Sequence, residues 1–282
     1  MEIREQIIAK INEIVSSSAN NLKLLDRPAF DAPLIGFGSG ADPLLDFYKQ
    51  DIGPFYRLPD DWLQSKYGRA FDRNEITLIS WALPQTHQTR LENEAESVRP
   101  AFPWALNRTY GEEFQREVLA KGVEDWLDSM GIPSIAPMAS KEFHWDNSEK
   151  YGLASTWSER HTAHICGLGT FGLCDGLITA KGKAMRFGSV IAAVKIEPDK
   201  RPYTRYNEYC LADEGCTACI NRCPGGAITA EGGHDKAKCQ QFQRENIVPW
   251  CKENYGFEGT YGCGLCQTCV PCEYGIPPRK GK

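Results

Sequence analysis

The chain has 282 residues, 41% of them hydrophobic and 24% charged, the make-up of an ordinary globular protein that can bury a sizeable core. Its formal net charge of -5 and sequence pI near 5.7 argue against a broad nucleic-acid or anionic-membrane partner. No stretch approaches the roughly 18 apolar residues of a membrane span, and charges stand where a signal peptide would have its apolar run, so a cytoplasmic chain is expected.

In chain order, Ile3, Ile7, Ile11, Ile14 and Val15 recur at helical spacing and predict an amphipathic first helix. Residues 26–74 are rich in Pro, Gly and Asp and read as a long irregular wrap. Within it, GFGSGA sets Gly36, Gly38 and Ala41 in a loose dinucleotide pattern. The run before it is short and broken by proline, so a turn or an active-site rim is expected there. EITLISWALP, Glu75 to Pro84, reads as a buried strand closed by proline. GEEFQREVLAKGVEDWLDSMG predicts a helix with Phe114, Val118, Leu119, Trp126 and Met130 on one face and Gly131 as its stop. FGSVIAAVKIEP, Phe187 to Pro198, reads as a second central strand. Strands alternating with long helices predict an α/β or α+β body with a mixed or antiparallel sheet.

The 12 cysteines are unevenly placed: none precedes Cys166, and ten lie between Cys210 and Cys272. A reducing compartment disfavours structural disulfides, so clustered cysteines there point to metal or catalysis. A zinc ribbon needs only four ligands. Cys216-x2-Cys219-x3-Cys223-Pro224 matches the last three cysteines of a ferredoxin run, in which the cysteine before proline serves the other cluster. CGLCQTCVPC adds Cys263, Cys266, Cys269 and Cys272. The full run would have a cysteine at 213, where this chain has Asp213, and Cys210 is the nearest substitute. The expected ligands are therefore Cys210, Cys216, Cys219 and Cys272 for one [4Fe–4S] cluster, and Cys223, Cys239, Cys263 and Cys266 for a second. Cys251 and Cys269 are left over.

His161 and His164 stand one helical turn apart, and with no further ligand nearby they read as packed or solvent-facing. Cys166 and Cys174 read as small buried residues, and KGKAMR as a solvated basic turn.

SERHTAHICGLGTFGLCDGLITAKGKAMRFGS, Ser158 to Ser189, resembles the glycine-patterned segment of epoxyqueuosine reductases and their relatives, the corrinoid-dependent reductive dehalogenases. The lone Cys239 between two cysteine groups is similar too, and the resemblance covers about residues 75–275. It implies a nitroreductase-like body over 75–200 that binds base-off cobalamin. Preceding it would be an N-terminal helix and wrap over 1–74, and following it a ferredoxin-like module over 201–282 with two [4Fe–4S] clusters. The residues it places at the corrin are Gly167, Leu168, Gly169, Thr170, Phe171, Gly172, Leu177, Ile178, Gly188 and Ser189. Glycines would let backbone approach the flat ring. Where epoxyqueuosine reductases carry an acid in an ALGRDYH-like stretch, this chain has Thr109 within ALNRTYGEEF, so Arg108 and Tyr110 become the catalytic candidates. A threonine hydroxyl does not give up a proton at neutral pH as a carboxylic acid does.

The expected function is a cobalamin-dependent iron–sulfur reductase fed by a ferredoxin or flavodoxin and acting on a small molecule, with nucleic acid set aside on charge. The alternatives are a two-cluster electron carrier serving a partner protein, a tRNA epoxyqueuosine reductase, and a flavin-binding reductase.

Overall fold

The computed structural model describes residues 2–279. Helix α1 (Ile3–Val15) is followed by strand β1 (Leu34–Ser39) and helices α2 (Pro43–Ile52) and α3 (Pro59–Tyr67). Strand β2 (Thr77–Pro84) leads to α4 (His87–Glu94) and α5 (Phe102–Leu106). The helix then runs on through π-helical turns at Asn107–Gly111 and Phe114–Ala120 into α6 (Lys121–Ser129). After β3 (Ser134–Ile135) come the hairpin β4 (Trp145–Ser148) and β5 (Gly152–Ser155), helix α7 (Glu159–Ile165), the hairpin β6 (Gly169–Phe171) and β7 (Leu177–Thr179), and strand β8 (Met185–Ala192). The C-terminal part holds α8 (Ala218–Asn221), β9 (Ile228–Thr229), β10 (Gly233–His234), α9 (Lys236–Phe242), and α10 (Val248–Tyr255) after a π-helical turn.

A four-stranded antiparallel sheet in the order β1-β2-β8-β3 forms the centre. Strand β2 is buried at every position, as a strand covered on both faces must be. In its register with β8, Ser80 faces Ser189 and Trp81 faces Gly188. Cross-strand partners share a face, so these two pairs point to opposite sides. On the Trp81 side, Ile79, Leu83 and Val190 pack with Phe114, Leu119 and Val123 and with Ile7, Ile11 and Val15 of α1. On the other side, Leu78 and Ile191 pack with Ile165, Trp157 and Trp62. The fold is thus a mixed α/β architecture with helices on both faces of the sheet.

Two expectations change. The GFGSG stretch is strand β1, paired with β2 from Leu34↔Ala82 to Ser39↔Thr77. A side chain at Gly36 would collide with the Cys166 carbonyl, and one at Gly38 with Ile165, so these glycines let the end of α7 lie on the sheet. Segment 1–74 therefore contributes to the central sheet, and no break falls at 74/75. The cysteine-rich tail is also continuous with the body, because Ile247, Cys251, Phe257 and Tyr261 join the same core as α1. Among the described residues, no helix is long and apolar enough to cross a membrane.

Candidate redox site

Cys210, Cys216, Cys219 and Cys272 line one small recess, with Lys183 and Val270 among its other walls. Cys269 is exposed and has φ +55°, which turns it away from that recess. Asp213, at the position where a cysteine was expected, pairs with Arg279 at 3.2 Å, and Arg279 also donates to the Cys210 carbonyl at 3.0 Å.

The second group gathers around Cys263, whose electrostatic neighbours include Cys239, Cys223 and Arg222, while Cys266 neighbours Cys263. Burial pushes the Cys263 thiol up to about 12. Nitrogen donors already aim at these sulfurs: the Ala227 N–H reaches Cys223 Sγ at 3.3 Å, and Gln243 Nε2 reaches Cys239 Sγ at 3.2 Å. His234 bridges Cys239 and the Asp175 carboxylate, which lies 3.0 Å from its Nδ1. Asp175, chiefly, and Cys239 raise the imidazole to about 10, and His234 in turn lowers the Cys239 thiol. Arg222 clasps the group to the body, donating to the carbonyls of Glu96 at 2.7 Å and Thr268 at 3.1 Å. Among the described residues, no three His, Cys, Asp or Glu side chains converge on a single ion. Four thiols around one recess, and a second group with N–H donors facing the sulfurs of Cys223 and Cys239, are a donor set that suits iron–sulfur clusters, since such hydrogen bonds stabilise and tune them.

The glycine segment meets its own chain. Gly167, at φ +77°, ends α7 in a Schellman turn, with Leu168 N–H bonded to the Ala163 carbonyl at 3.0 Å. A side chain at Gly169 would strike the Ile178 carbonyl, and Gly172 closes the same hairpin through its N–H to Gly176 O at 2.8 Å. Thr170 caps the Tyr209 N–H at 2.9 Å, and the Phe171 ring packs on His161 at 4.8 Å. Leu168, Leu177 and Ile178 are packed in the interior. Gly167 and Gly169 are therefore already required by the helix end and the hairpin, whatever else this segment meets. His164 is packed as well, its Nδ1 2.9 Å from the Gly169 carbonyl and its ring stacked on Tyr203.

The unmet polarity lies across the sheet. Trp81 Nε1, Gln115 Nε2 and Oε1, and Arg186 Nε are buried without a hydrogen-bond partner. Gly188 borders them, since a side chain there would strike Gln115 and Trp81. Glu112 pairs with Arg108 and, at 3.2 Å, with Arg186. Burial lowers both guanidiniums to about 10, with the charge of Arg186 a further cause for Arg108. KGKAMR is accordingly not a solvated turn: Lys183 is buried, and Arg186 lies on β8 with its Nε among these unpartnered atoms.

Arg108 and Tyr110 are separated, as residues two apart on a helix must be. Arg108 turns inward to Glu112, whereas Tyr110 packs on Phe257 at 6.0 Å with Lys23 over its ring. Thr109 donates to the Thr260 carbonyl at 2.7 Å and accepts its N–H at 3.0 Å. Gly259, Gly262 and Gly264 let the tail lie directly on Thr109, Arg108 and Trp104, which joins the cysteine module to the helix that carries Arg108.

Sequence reasoning missed Glu159. Its carboxyl accepts from Ser189 Oγ at 2.5 Å, its Oε1 has no partner, and burial raises it to about 8. Ser189, expected at the corrin, also accepts from Trp157 Nε1 at 3.0 Å. An acid next to the glycine segment was the available signal, but its burial was not readable.

No family model matches the chain. A curated epoxyqueuosine reductase of Bacillus cereus is 32% identical over 124 residues, 42% of this chain and 30% of the relative. The match thus spans under a third of that relative's length. An epoxyqueuosine reductase solved with a tRNA-Tyr epoxyqueuosine-modified stem loop superposes with TM-score 0.52, at 19% identity, over 98% of this chain and 67% of its own. A catabolic reductive dehalogenase in complex with 3-bromo-4-hydroxybenzoic acid gives TM-score 0.52, at 13% identity, over 97% of this chain and 37% of its own. The structural likenesses establish the fold that this chain shares with epoxyqueuosine reductases and reductive dehalogenases, and the sequence match adds a likeness to an epoxyqueuosine reductase over 42% of the chain.

Proposed function

We propose that the chain is an iron–sulfur oxidoreductase, with a nitroreductase-like body and a ferredoxin-like tail, that delivers single electrons to an acceptor at the Arg108–Arg186 pocket. The observation carrying this reading is the set of four thiols around one recess, with four more beside it, joined by a glycine-rich strap to a body whose buried donors lack partners. Cys210, Cys216, Cys219 and Cys272 would hold one [4Fe–4S] cluster, and Cys223, Cys239, Cys263 and Cys266 the other. Each cluster supplies a low-potential one-electron couple when bound.

The chain's own residues do the rest. Arg108 and Arg186, bridged by Glu112, present positive charge to the acceptor. Gln115 and Trp81 offer it N–H donors that have no protein partner. A buried donor left unpaired is costly, so a bound polar group there would be strongly oriented. Tyr110 is not assigned proton delivery, because it faces Lys23 and Phe257.

The family resemblance proposes base-off cobalamin as the acceptor, and no step is derived through it because Gly167, Gly169 and Gly172 are used by the fold. A tRNA substrate is a second reading. It is favoured by the epoxyqueuosine reductase relative and by a fold neighbour solved with a tRNA stem loop, and net charge alone does not outweigh those likenesses.

Anaerobic protein reconstituted with iron and sulfide should hold about eight irons. Titration with hydroxocobalamin and with flavin then identifies the acceptor, and turnover of an epoxyqueuosine-modified stem loop against a bromophenol identifies the substrate class. Stoichiometric cobalamin uptake with turnover of either substrate supports the proposal. Full iron with no acceptor bound would leave a simple electron carrier and reject it.

A further inference from the structure

We infer that Lys183 is a buried counter-charge shared by the two thiol cages, a positioning residue that makes both clusters easier to reduce. The inference rests on the two-cluster reading above. Lys183 is 2% exposed and is the one buried lysine among the described residues. Its electrostatic neighbours are thiols, Cys174, Cys272 and Cys266. It lines the recess with Cys210, Cys216 and Cys219, so one ammonium borders both cages. Burying an ammonium is expensive unless an anion pairs with it, and the partners placed beside Lys183 are these sulfurs.

The backbone fixes this position. Gly182 has φ +87°, and a side chain there would collide with the Glu273 carbonyl next to Cys272. The Lys183 N–H then bonds that carbonyl at 3.3 Å. Cys174 enters from the β6–β7 loop and hydrogen-bonds to Cys219 of one cage and Cys266 of the other. It stands between Cys219 and Cys266 as a ninth thiol outside the two expected ligand sets.

On reduction each cluster accepts one electron from an external donor of the ferredoxin or flavodoxin class, which is oxidised by one electron. No bond forms or breaks. The cage gains one negative charge, and a fixed positive charge in a poorly screened interior stabilises that state without uptake of a proton.

The test reconstitutes wild type, Lys183→Met and Lys183→Arg anaerobically, counts iron, and reads both midpoint potentials by mediated titration followed by EPR. The expected result is that Lys183→Met makes both clusters at least tenfold harder to reduce, 59 mV for a one-electron couple, while Lys183→Arg stays near wild type. Unchanged potentials in fully loaded Lys183→Met overturn the inference. If Lys183→Met loads poorly, full loading of Lys183→Arg supports the counter-charge, and equal failure of both variants overturns it. Wild type that holds no clusters would refute the two-cluster reading itself, which separates the two failures.

Discussion

Cys269 and Cys272 are three residues apart, and their spacing alone does not choose between them. The backbone does: Cys269 is exposed at φ +55°, and Cys272 lines the recess. Cys272→Ser should therefore lower bound iron by about half, whereas Cys269→Ser should leave it unchanged, as read by iron and sulfide analysis. The reverse pattern would exchange their roles. Glu159 makes a different prediction. Burial raises its carboxyl from the ordinary 4.5 to about 8, so between those values the fold keeps a proton that the unfolded chain has lost. Stability then falls as pH rises through that interval. Glu159→Gln should flatten the loss of Tm between pH 5 and pH 8, and equal slopes in the two proteins would contradict this. The gathering of Cys210, Cys216, Cys219 and Cys272 at one recess was legible because cysteine spacing is written along the chain. Lys183, Arg186 and Glu159 were not, because a charged residue reads as solvated until tertiary contacts bury it.

At the scale of elements, α1, β2 and β8 followed from apolar periodicity, since their own side chains make the core. Strand β1 did not. Its glycines and the proline before it argue locally for a turn, and only the end of α7 lying against Gly36 and Gly38 explains them. Gly36→Ala should cost about 1–3 kcal/mol in urea unfolding, because the Cys166 carbonyl must move. A change below about 0.5 kcal/mol, the range of a neutral surface substitution, would mean that α7 sits more loosely. The helix after Leu106 was expected to be regular, and its π-helical turns are not readable from periodicity. Such turns are frequent at functional sites, and these carry Arg108 and Gln115, with Glu112 between them, to the unmet polar atoms.

For the whole molecule, composition suggested a cysteine-free body with an appended tail, yet Ile247 and Cys251 share the core of α1 and the sheet. Ile247→Ala should destabilise the fold by about 2–5 kcal/mol in a single transition, seen together in tryptophan fluorescence and cluster absorbance. A separate early transition confined to the cluster signal would instead mark an independent tail. The resemblance carried the fold, which the solved epoxyqueuosine reductase and reductive dehalogenase share with this chain. It does not by itself assign Gly167 and Gly169 to a corrin, because a glycine demanded by a helix end or a hairpin is indistinguishable in sequence from one facing a ligand. The account's central claim is that eight of these thiols hold two four-iron clusters. EPR of the anaerobically reconstituted, dithionite-reduced protein, with iron counted on the same sample, tests it most directly. About eight irons and two interacting [4Fe–4S]⁺ signals are predicted, whereas zinc in the cysteine sites with no cluster signal would contradict it.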